Sequence, residues 1–259
     1  MCPEPIFLNV HLYGVMIAIG ILACFFILYF FGKIKGVNPA FTDFVFYNGI
    51  ASIAVGFFTA NLFQAIYNYI DNPDAGFTLK NSGITFIGGL LGGIVTFLLV
   101  YLIFRKKVKG KLTDIVSIAP CCILIAHAFG RVGCFFAGCC YGKETNSFLG
   151  VKFPDLPHAV HPTMLYEAIF LFALFAICSI LLIKFDFKHN LSVYLVAYGL
   201  FRFLIEYLRG DFRGGFIPGI SPSQFWSLLM IIGGIVLYFG LEFYFKKQKT
   251  KPTEPTENN

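Results

Sequence analysis

The sequence predicts an all-α, polytopic membrane protein with seven transmembrane helices. Apolar residues make up 57% of the 259 residues, charged residues only 13%, and the mean hydropathy is +0.74. This charged share is about half that of globular proteins, which argues against a soluble chain. Stretches of about 20 apolar residues, long enough to cross a hydrocarbon core, recur throughout. Disordered, collagen-like and disulfide-scaffold classes do not fit this composition.

Seven apolar segments are predicted as membrane-spanning helices from their length and composition. They are Leu12–Phe31, Asp43–Tyr69, Ile84–Phe104, Asp114–Gly133, Thr163–Ile183, Leu191–Leu208 and Ser223–Phe245. The short N-terminus lacks the basic start and the small-residue cleavage site of a signal peptide, so we expect no cleaved leader.

Basic residues are concentrated on one set of connections, which predicts the orientation. The odd-numbered connections and the C-terminal tail hold thirteen Lys and Arg residues, whereas the other loops hold five. Because cytoplasmic loops carry the excess of Lys and Arg, we expect the N-terminus outside and the C-terminus inside, with long outer loops at 141–162 and 210–222. The net charge of +6 therefore reflects topology. No basic–aromatic run outside the membrane indicates nucleic-acid binding.

The domain organisation expected from this pattern is simple. Residues 1–245 form one seven-helix membrane domain. The polar tail, residues 246–259, contains two prolines and is expected to be a disordered cytoplasmic segment.

Two predicted spans carry polar side chains at helical spacing, where each charge costs at least about 2.5–3.5 kcal/mol. One face of the fourth span holds His127, Arg131, Cys134 and Gly138. One face of the sixth span holds Tyr198, Arg202, Glu206 and Arg209. A rise of about 1.5 Å per residue places these groups in the outer half of the bundle, near the outer ends that carry Tyr13, Ile87 and His161.

Structural and functional interpretations of these charges both remain open. Arg202 and Glu206 are compatible with an internal ion pair that only holds helices together, and Arg131 alone is compatible with snorkelling. Two arginines with only Glu206 and Glu167 nearby suggest excess positive charge in an outer cavity. Such a cavity would suit an anion, and a phospholipid phosphate is the commonest one at a membrane surface.

The glycine pairs and the cysteines allow several interpretations. Gly88 and Gly89 permit close helix approach, and alternatively leave room for a lipid head group. Cys134, Cys139 and Cys140 are compatible with packing residues, a disulfide, or a catalytic or metal-binding set. Their C-x4-C-C spacing matches no zinc pattern, so we expect neither a metal nor a cofactor.

Five local signatures, in order along the chain, make the sequence resemble the prolipoprotein diacylglyceryl transferase family over nearly its whole length. They are His11–Gly14, Gly88–Leu90, Gly130–Gly133 with Phe135, Gly138 and Gly142, then His161–Glu167, and Tyr198–Glu206. Each motif alone is weak, but all five occur on a matching seven-helix plan.

The resemblance implies an enzyme of the bacterial plasma membrane. Such an enzyme moves the diacylglyceryl group of phosphatidylglycerol to the lipobox cysteine of a prolipoprotein at the outer leaflet and releases glycerol phosphate. By motif, Arg131 would bind the lipid phosphate. Arg202, oriented by Glu206, would stabilise the departing glycerol phosphate. The implied substrate-binding residues are Tyr13, Gly88, Gly89, Arg131, Gly142, His161 and Tyr198.

The sequence departs from the family pattern at three positions. Ile87 replaces the histidine of the His-Gly-Gly motif, while Cys134 and Cys139 replace the asparagine and the acidic residue of the signature. Because isoleucine accepts no proton, the base that forms the nucleophilic thiolate must lie elsewhere. The candidates are His127, His161 and Glu206, and His127 is equally compatible with a satisfied polar helix residue.

Two other functions compete with this interpretation. A divergent paralogue would keep the phospholipid pocket but use another thiol or small acceptor, and the three departures motivate it. A transporter or a thiol–quinone redox protein would require midplane polar groups with repeat symmetry, or a C-x-x-C pair. The sequence contains neither pattern.

Overall fold

The computed structural model describes residues 11–80, 82–83, 85–154, 156–210 and 219–249. Within these residues the regular structure is helical, and β-structure is limited to isolated bridges of Val160 with Glu144 and Val151. The helices are α1 Leu12–Ile34, α2 Pro39–Asp71, α3 Phe86–Phe104, α4 Leu112–Ile115, α5 Ala119–Phe136, α6 Thr163–Phe185, α7 Asn190–Ile205 and α8 Pro222–Lys249. Short 3-10 turns occupy Pro73–Ala75 and Glu206–Leu208.

Six of these helices are long and apolar enough to cross a membrane. They are α1, α2, α5, α6, α7 with its following 3-10 turn, and α8. The all-α, polytopic membrane class is therefore confirmed. Helix α3 is apolar over the shorter segment Gly88–Phe104, so the seventh span stays a prediction.

The fourth predicted span, Asp114–Gly133, differs most from the structure. It consists of the short α4, a break, and α5, whose first turn contains Pro120. Proline is favoured in a first helical turn because its missing N–H needs no partner there. Helix α5 then ends at Phe136, and Gly138 has a φ of +66°, so Gly138 lies in a turn and does not share the predicted helix face.

The last helix runs further than the sequence predicted. Helix α8 continues to Lys249, so the first residues of the predicted tail are helical. Residues 250–259 of that tail, and residues 211–218 of the predicted outer loop, lie outside the described residues.

The chain divides into two compact units, and the smaller one, Leu28–Asp114, contains the α2–α3 pair. A Cβ atom on Gly88 would lie 2.7 Å from the Phe63 Cβ, and one on Gly89 would lie 3.2 Å from the Ala60 Cβ. The Thr59 hydroxyl of α2 donates to the Gly88 carbonyl at 2.9 Å. The predicted close helix approach at these glycines is confirmed.

The larger unit contains Met1–Ile27 and Ile115–Asn259, and in it α5 packs against α6 and α7 against α8. Its core includes the fully buried Leu124 and Leu171. The buried Asn190 amide donates to the Ser117 and Cys178 carbonyls, at 3.1 and 3.0 Å, and so joins the cytoplasm-proximal ends predicted for these helices. This packing positions the polar side chains of α5, α6 and α7.

Candidate active site

A buried carboxylate, Glu167 of α6, is the centre of the polar cluster. Its residue is 1% exposed, and its Oε1 accepts a hydrogen bond from the Tyr198 hydroxyl of α7 at 2.6 Å. From α5, Arg131 Nε lies 3.0 Å from the same oxygen and His127 Nε2 lies 3.7 Å from it. Three helices therefore contribute polar side chains to one point in an otherwise apolar bundle.

The Arg131 guanidinium is held by Glu167 from one side. The ion pair involves Nε, and this buried nitrogen has no aligned hydrogen-bond acceptor among the described residues. The terminal nitrogens are not engaged by that ion pair, and the side chain keeps 21% of its exposure. A guanidinium with its forked end available suits bidentate binding of a phosphate.

The second arginine, Arg202, is oriented by partners from α7 and α8. Its Nη1 donates to Glu206 Oε2 at 2.7 Å, and its Nη2 donates to the Ser223 hydroxyl at 2.9 Å. The Ser221 hydroxyl donates to the other Glu206 oxygen at 2.9 Å. The ion pair predicted from the i, i+4 spacing of Arg202 and Glu206 is confirmed.

The two arginine–carboxylate pairs lie within electrostatic range of each other, since Arg202 acts on both His127 and Glu167. The predicted excess of positive charge needs correction, because each arginine has its own carboxylate and these four charges cancel. An additional cation in this unit is Arg209, which is 7% exposed and lies within electrostatic range of Cys140.

The loop after α5 is attached through Gly142 to the segment before α6 and to the 3-10 turn after α7. Its N–H donates to the His161 carbonyl at 2.8 Å, and a Cβ atom there would lie 2.5 Å from the Leu208 carbonyl oxygen. Only glycine fits that approach. The ring nitrogen Nδ1 of His161 lies 3.3 Å from the Tyr166 hydroxyl, which places His161 at the start of α6.

The remaining predicted substrate-binding residues fall in different places. Tyr13 begins α1, is 38% exposed, and contacts α5 where a Cβ on Gly133 would lie 3.2 Å from its ring. It also lies within electrostatic range of Arg131. Gly88 and Gly89 belong to the Leu28–Asp114 unit. The side chain of Ile87 lies outside the described part of the structure.

Three cysteines meet at the end of α5. The sulfur atoms of Cys134, Cys139 and Cys140 all lie within 4.8 Å of one another, and all three are free thiols. The sequence left these three cysteines open as packing residues, a disulfide, or a catalytic or metal-binding set, and the structure brings all three sulfurs together. Hydrogen bonds with the Cys134 and Cys139 thiols lower the pKa of Cys140, with Arg209 and Arg131 adding to the effect, whereas hydrogen bonds with the Cys134 and Cys140 thiols raise the pKa of Cys139.

Comparison with known proteins decides the family. The family model described as prolipoprotein diacylglyceryl transferase matches residues 5–240. The chain belongs to this family. Phosphatidylglycerol–prolipoprotein diacylglyceryl transferase of Clostridium tetani is 37% identical over 89% of this chain and 93% of its own length. The enzyme of the same name numbered 2 from Clostridium perfringens is 31% identical, and that of Francisella tularensis is 29% identical, covering 89% and 94% of this chain and 91% and 93% of their own lengths.

Membership in the prolipoprotein diacylglyceryl transferase family makes this protein a transferase of lipoprotein biosynthesis with membrane helices. The structure places Glu167, which the sequence gave only as a carboxylate near the arginines, at the centre of the site, and it adds two serines that the sequence did not single out. Glu167 connects α5 to α7, and Ser221 and Ser223 complete the shell around Arg202. The available signal for Glu167 was its position, because it is a carboxylate at the fifth residue of the otherwise apolar helix α6. The serines gave none, because they follow a loop whose path the sequence does not specify.

Proposed function

We propose that this protein transfers the diacylglyceryl group of phosphatidylglycerol to the lipobox cysteine thiol of prolipoproteins and releases glycerol phosphate. The reaction takes place at the outer leaflet of the bacterial plasma membrane. The protein crosses that membrane seven times, with its N-terminus outside and its C-terminus inside. The names of the relatives supply the donor and the acceptor.

One observation carries the proposal, the presence of two arginine–carboxylate pairs within electrostatic range of each other inside an apolar helical bundle. Arg131 presents its forked end beside Glu167, and Arg202 is fixed by Glu206 and Ser223. Charged side chains inside a membrane cost free energy, so their presence there indicates a function. A phosphodiester head group is an anion that guanidinium groups at this position can bind.

The chemistry requires charge stabilisation at the leaving group. The acceptor sulfur forms a bond to the glyceryl carbon, while the bond from that carbon to the phosphate oxygen breaks and its electron pair leaves with glycerol phosphate. Negative charge grows on that oxygen in the transition state. A preorganised guanidinium such as Arg202, already aligned by Glu206 and Ser223, stabilises such charge without reorganisation. Arg131 binds the phosphate.

The tyrosine and glycine assignments are refined by their contacts. The Tyr198 hydroxyl already donates to Glu167, and the residue is buried, so it positions Glu167 and Arg131 while the exposed Tyr13 contacts the head group. Gly142 allows the loop to close onto α7. The head-group role of Gly88 and Gly89 stays a prediction, since their observed contacts are with α2.

His127 is the favoured acceptor for the thiol proton. Both Glu206 oxygens already accept hydrogen bonds, from Arg202 and Ser221. His161 pairs with Tyr166 at the loop boundary. His127 adjoins the Arg131–Glu167 pair, its ring meeting Tyr198 edge-on at 5.1 Å between centroids. A base must lie beside the reacting groups, and His127 meets that condition.

A reconstituted assay tests this function. The purified full chain is placed in phosphatidylglycerol vesicles with a lipobox peptide, and mass spectrometry detects the diacylglyceryl thioether. We expect product on the cysteine peptide and none on its serine counterpart. Arg131→Ala should abolish product, whereas Arg105→Ala, which removes a cation that follows the last turn of α3, should retain it.

Two results would overturn the proposal. One is an equal rate for wild type and Arg131→Ala, and the other is no product with any lipobox peptide. The divergent-paralogue function is motivated by Ile87, Cys134 and Cys139. It predicts thioether formation on a small thiol such as cysteine in the same vesicles, with the peptide unmodified.

A further inference from the structure

The three thiols at the end of α5 are arranged as a ligand set. The sulfur atoms of Cys134, Cys139 and Cys140 lie within 4.8 Å of one another, and each residue is half-buried. Tetrahedral zinc with Zn–S bonds of about 2.3 Å places its sulfurs about 3.8 Å apart. Side-chain rotations that move the sulfur atoms by about 1 Å therefore bring all three within bonding distance of one ion.

Backbone geometry holds the cysteines in this arrangement. Gly138 and Cys140 have φ values of +66° and +64°, which turn the chain back toward the end of α5. The Cys139 N–H donates to the Cys134 carbonyl at 3.1 Å, and the Thr163 hydroxyl donates to the Cys140 carbonyl at 2.8 Å. The three sulfurs are consequently placed together by the loop itself.

The surrounding charges are compatible with a metal–thiolate centre. Zinc bound by three thiolates carries one net negative charge, and Arg131 and Arg209 lie within electrostatic range of Cys140.

We propose that Cys134, Cys139 and Cys140 bind Zn²⁺ and that the acceptor cysteine sulfur takes the fourth coordination position during transfer. The second half of this inference rests on the proposed function. Catalytic zinc sites keep three protein ligands and an exchangeable fourth position, and among the described residues the group contains these three ligands alone. The site lies beside Arg131, through the helical spacing of Arg131 and Cys134.

The zinc supplies the activation that Ile87 does not. A coordinating thiol is deprotonated outright, so the acceptor binds as thiolate and its proton passes to His127 or to water. The sulfur electron pair then forms the bond to the glyceryl carbon, and the carbon–oxygen bond to the phosphate breaks. Glycerol phosphate leaves with that electron pair, the thioether is released from zinc, and no group is oxidised or reduced.

Metal content is the first test, and it does not depend on activity. We expect the full chain, purified with zinc present and then desalted, to hold stoichiometric zinc by inductively coupled plasma mass spectrometry. Cys139→Ser and Cys140→Ser should lose it. Cys24→Ser, a half-buried cysteine of α1, is the matched control and should keep it. Wild type without stoichiometric zinc, or with a disulfide among the three cysteines after anaerobic purification, overturns the site.

A second test uses wild-type protein only, so it does not depend on a variant folding. The chain loaded with Co²⁺ should show thiolate-to-cobalt charge-transfer absorption. The cysteine lipobox peptide should increase that absorption by adding a thiolate, while the serine peptide should not. An identical spectrum with both peptides overturns the acceptor role.

Transfer activity separates this inference from the function on which it rests. Chelation should abolish thioether formation, and added zinc should restore it. Full activity in zinc-free protein overturns the zinc inference and leaves the proposed function intact. Stoichiometric zinc in a protein that modifies no lipobox peptide supports the metal site, overturns the proposed function, and removes the acceptor role with it.

Discussion

The polar side chains of the α2–α3 pair and those around Glu167 make different kinds of contact. In the α2–α3 pair, Asn48 donates to the Phe97 carbonyl at 3.0 Å and Thr59 to the Gly88 carbonyl at 2.9 Å, so neutral groups bind backbone oxygens. Around Glu167, charged groups of α5 and α6 pair with each other, and the Tyr198 hydroxyl of α7 donates to the same carboxylate. Neutral pairs of the first kind need only one neighbouring helix. The second kind fixes several helices at once and leaves donors for a ligand.

Removal of the central carboxylate, Glu167, should have the largest effect on stability and on transfer. Glu167→Ala leaves Arg131 buried without its partner, which costs about 3–5 kcal/mol for a buried pair, and should abolish transfer. Thermal unfolding in detergent and the vesicle assay measure the two effects. Glu167→Gln should keep the Tyr198 hydrogen bond and recover part of the stability.

Glu242 provides the matched control on α8. It contacts His189 and Lys246, and its side chain is 39% exposed. Glu242→Ala should therefore change stability by less than about 1 kcal/mol and leave transfer unchanged. Equal losses for Glu167→Ala and Glu242→Ala would contradict a special role for the buried cluster.

Arg202 should be the next most sensitive position. Arg202→Ala removes the donor at the leaving group and should lower kcat by about 10²–10³-fold. Arg202→Lys should have a kcat between those of wild type and Arg202→Ala, because one ammonium group cannot reproduce the planar guanidinium that binds Glu206 and Ser223 together. Steady-state kinetics with varied phosphatidylglycerol separates kcat from KM. A change confined to KM would contradict transition-state stabilisation by this side chain.

Gly142 tests whether the outer loop must close onto α7. Gly142→Ala places a Cβ atom 2.5 Å from the Leu208 carbonyl oxygen, so the loop must shift, at a cost of about 1–3 kcal/mol. Transfer should fall with stability. Gly240→Ala in α8 has no atom within 4 Å of the new methyl group and should be neutral or stabilising. Tolerance of alanine at both positions would argue against loop closure.

The helical class was predictable because apolar runs of about 20 residues are typical of membrane-spanning helices. The ends of the helices were harder to predict. Pro120 restarts the helix after a break inside the fourth predicted span, and the left-handed turn at Gly138 ends it earlier than the spacing of polar residues suggested. The break and the turn both depend on the backbone angles of single residues, and a periodic pattern of apolar residues carries no information about those angles.

The sequence predicted the charged members of the candidate site and the local Arg202–Glu206 pair, but not the pairing between helices. Arg131, Arg202 and Glu206 stood out because ionised groups are rare in apolar helices. The partner of Arg131 lies 36 positions away on another helix, and helical spacing carries no information about such a contact. The three cysteines were named as a possible set, but their spacing did not predict that the sulfurs meet, since a turn with two positive φ values, and not a regular zinc spacing, brings them together.

In the α2–α3 pair, a substitution of Gly88 distinguishes a role in helix packing from a role in substrate binding. Gly88→Ala brings a methyl group within 2.9 Å of the Thr59 carbonyl oxygen and should destabilise the α2–α3 pair by about 1–2 kcal/mol. Gly93→Ala, whose nearest contact is 3.4 Å, should be close to neutral. If Gly88→Ala lowers transfer while thermal unfolding is unchanged, the glycine contacts substrate and the packing explanation is incomplete.

The smallest effect is expected at Asn48, where the neutral pattern is clearest. Asn48→Ala removes the hydrogen bond to the Phe97 carbonyl, and interhelical hydrogen bonds in membranes are worth about 0.6 kcal/mol on average. That carbonyl lies inside α3, so its helical hydrogen bond remains. Unfolding should change slightly and transfer should stay at the wild-type rate. A loss as large as that of Glu167→Ala would show that neutral and charged polar groups stabilise this bundle equally.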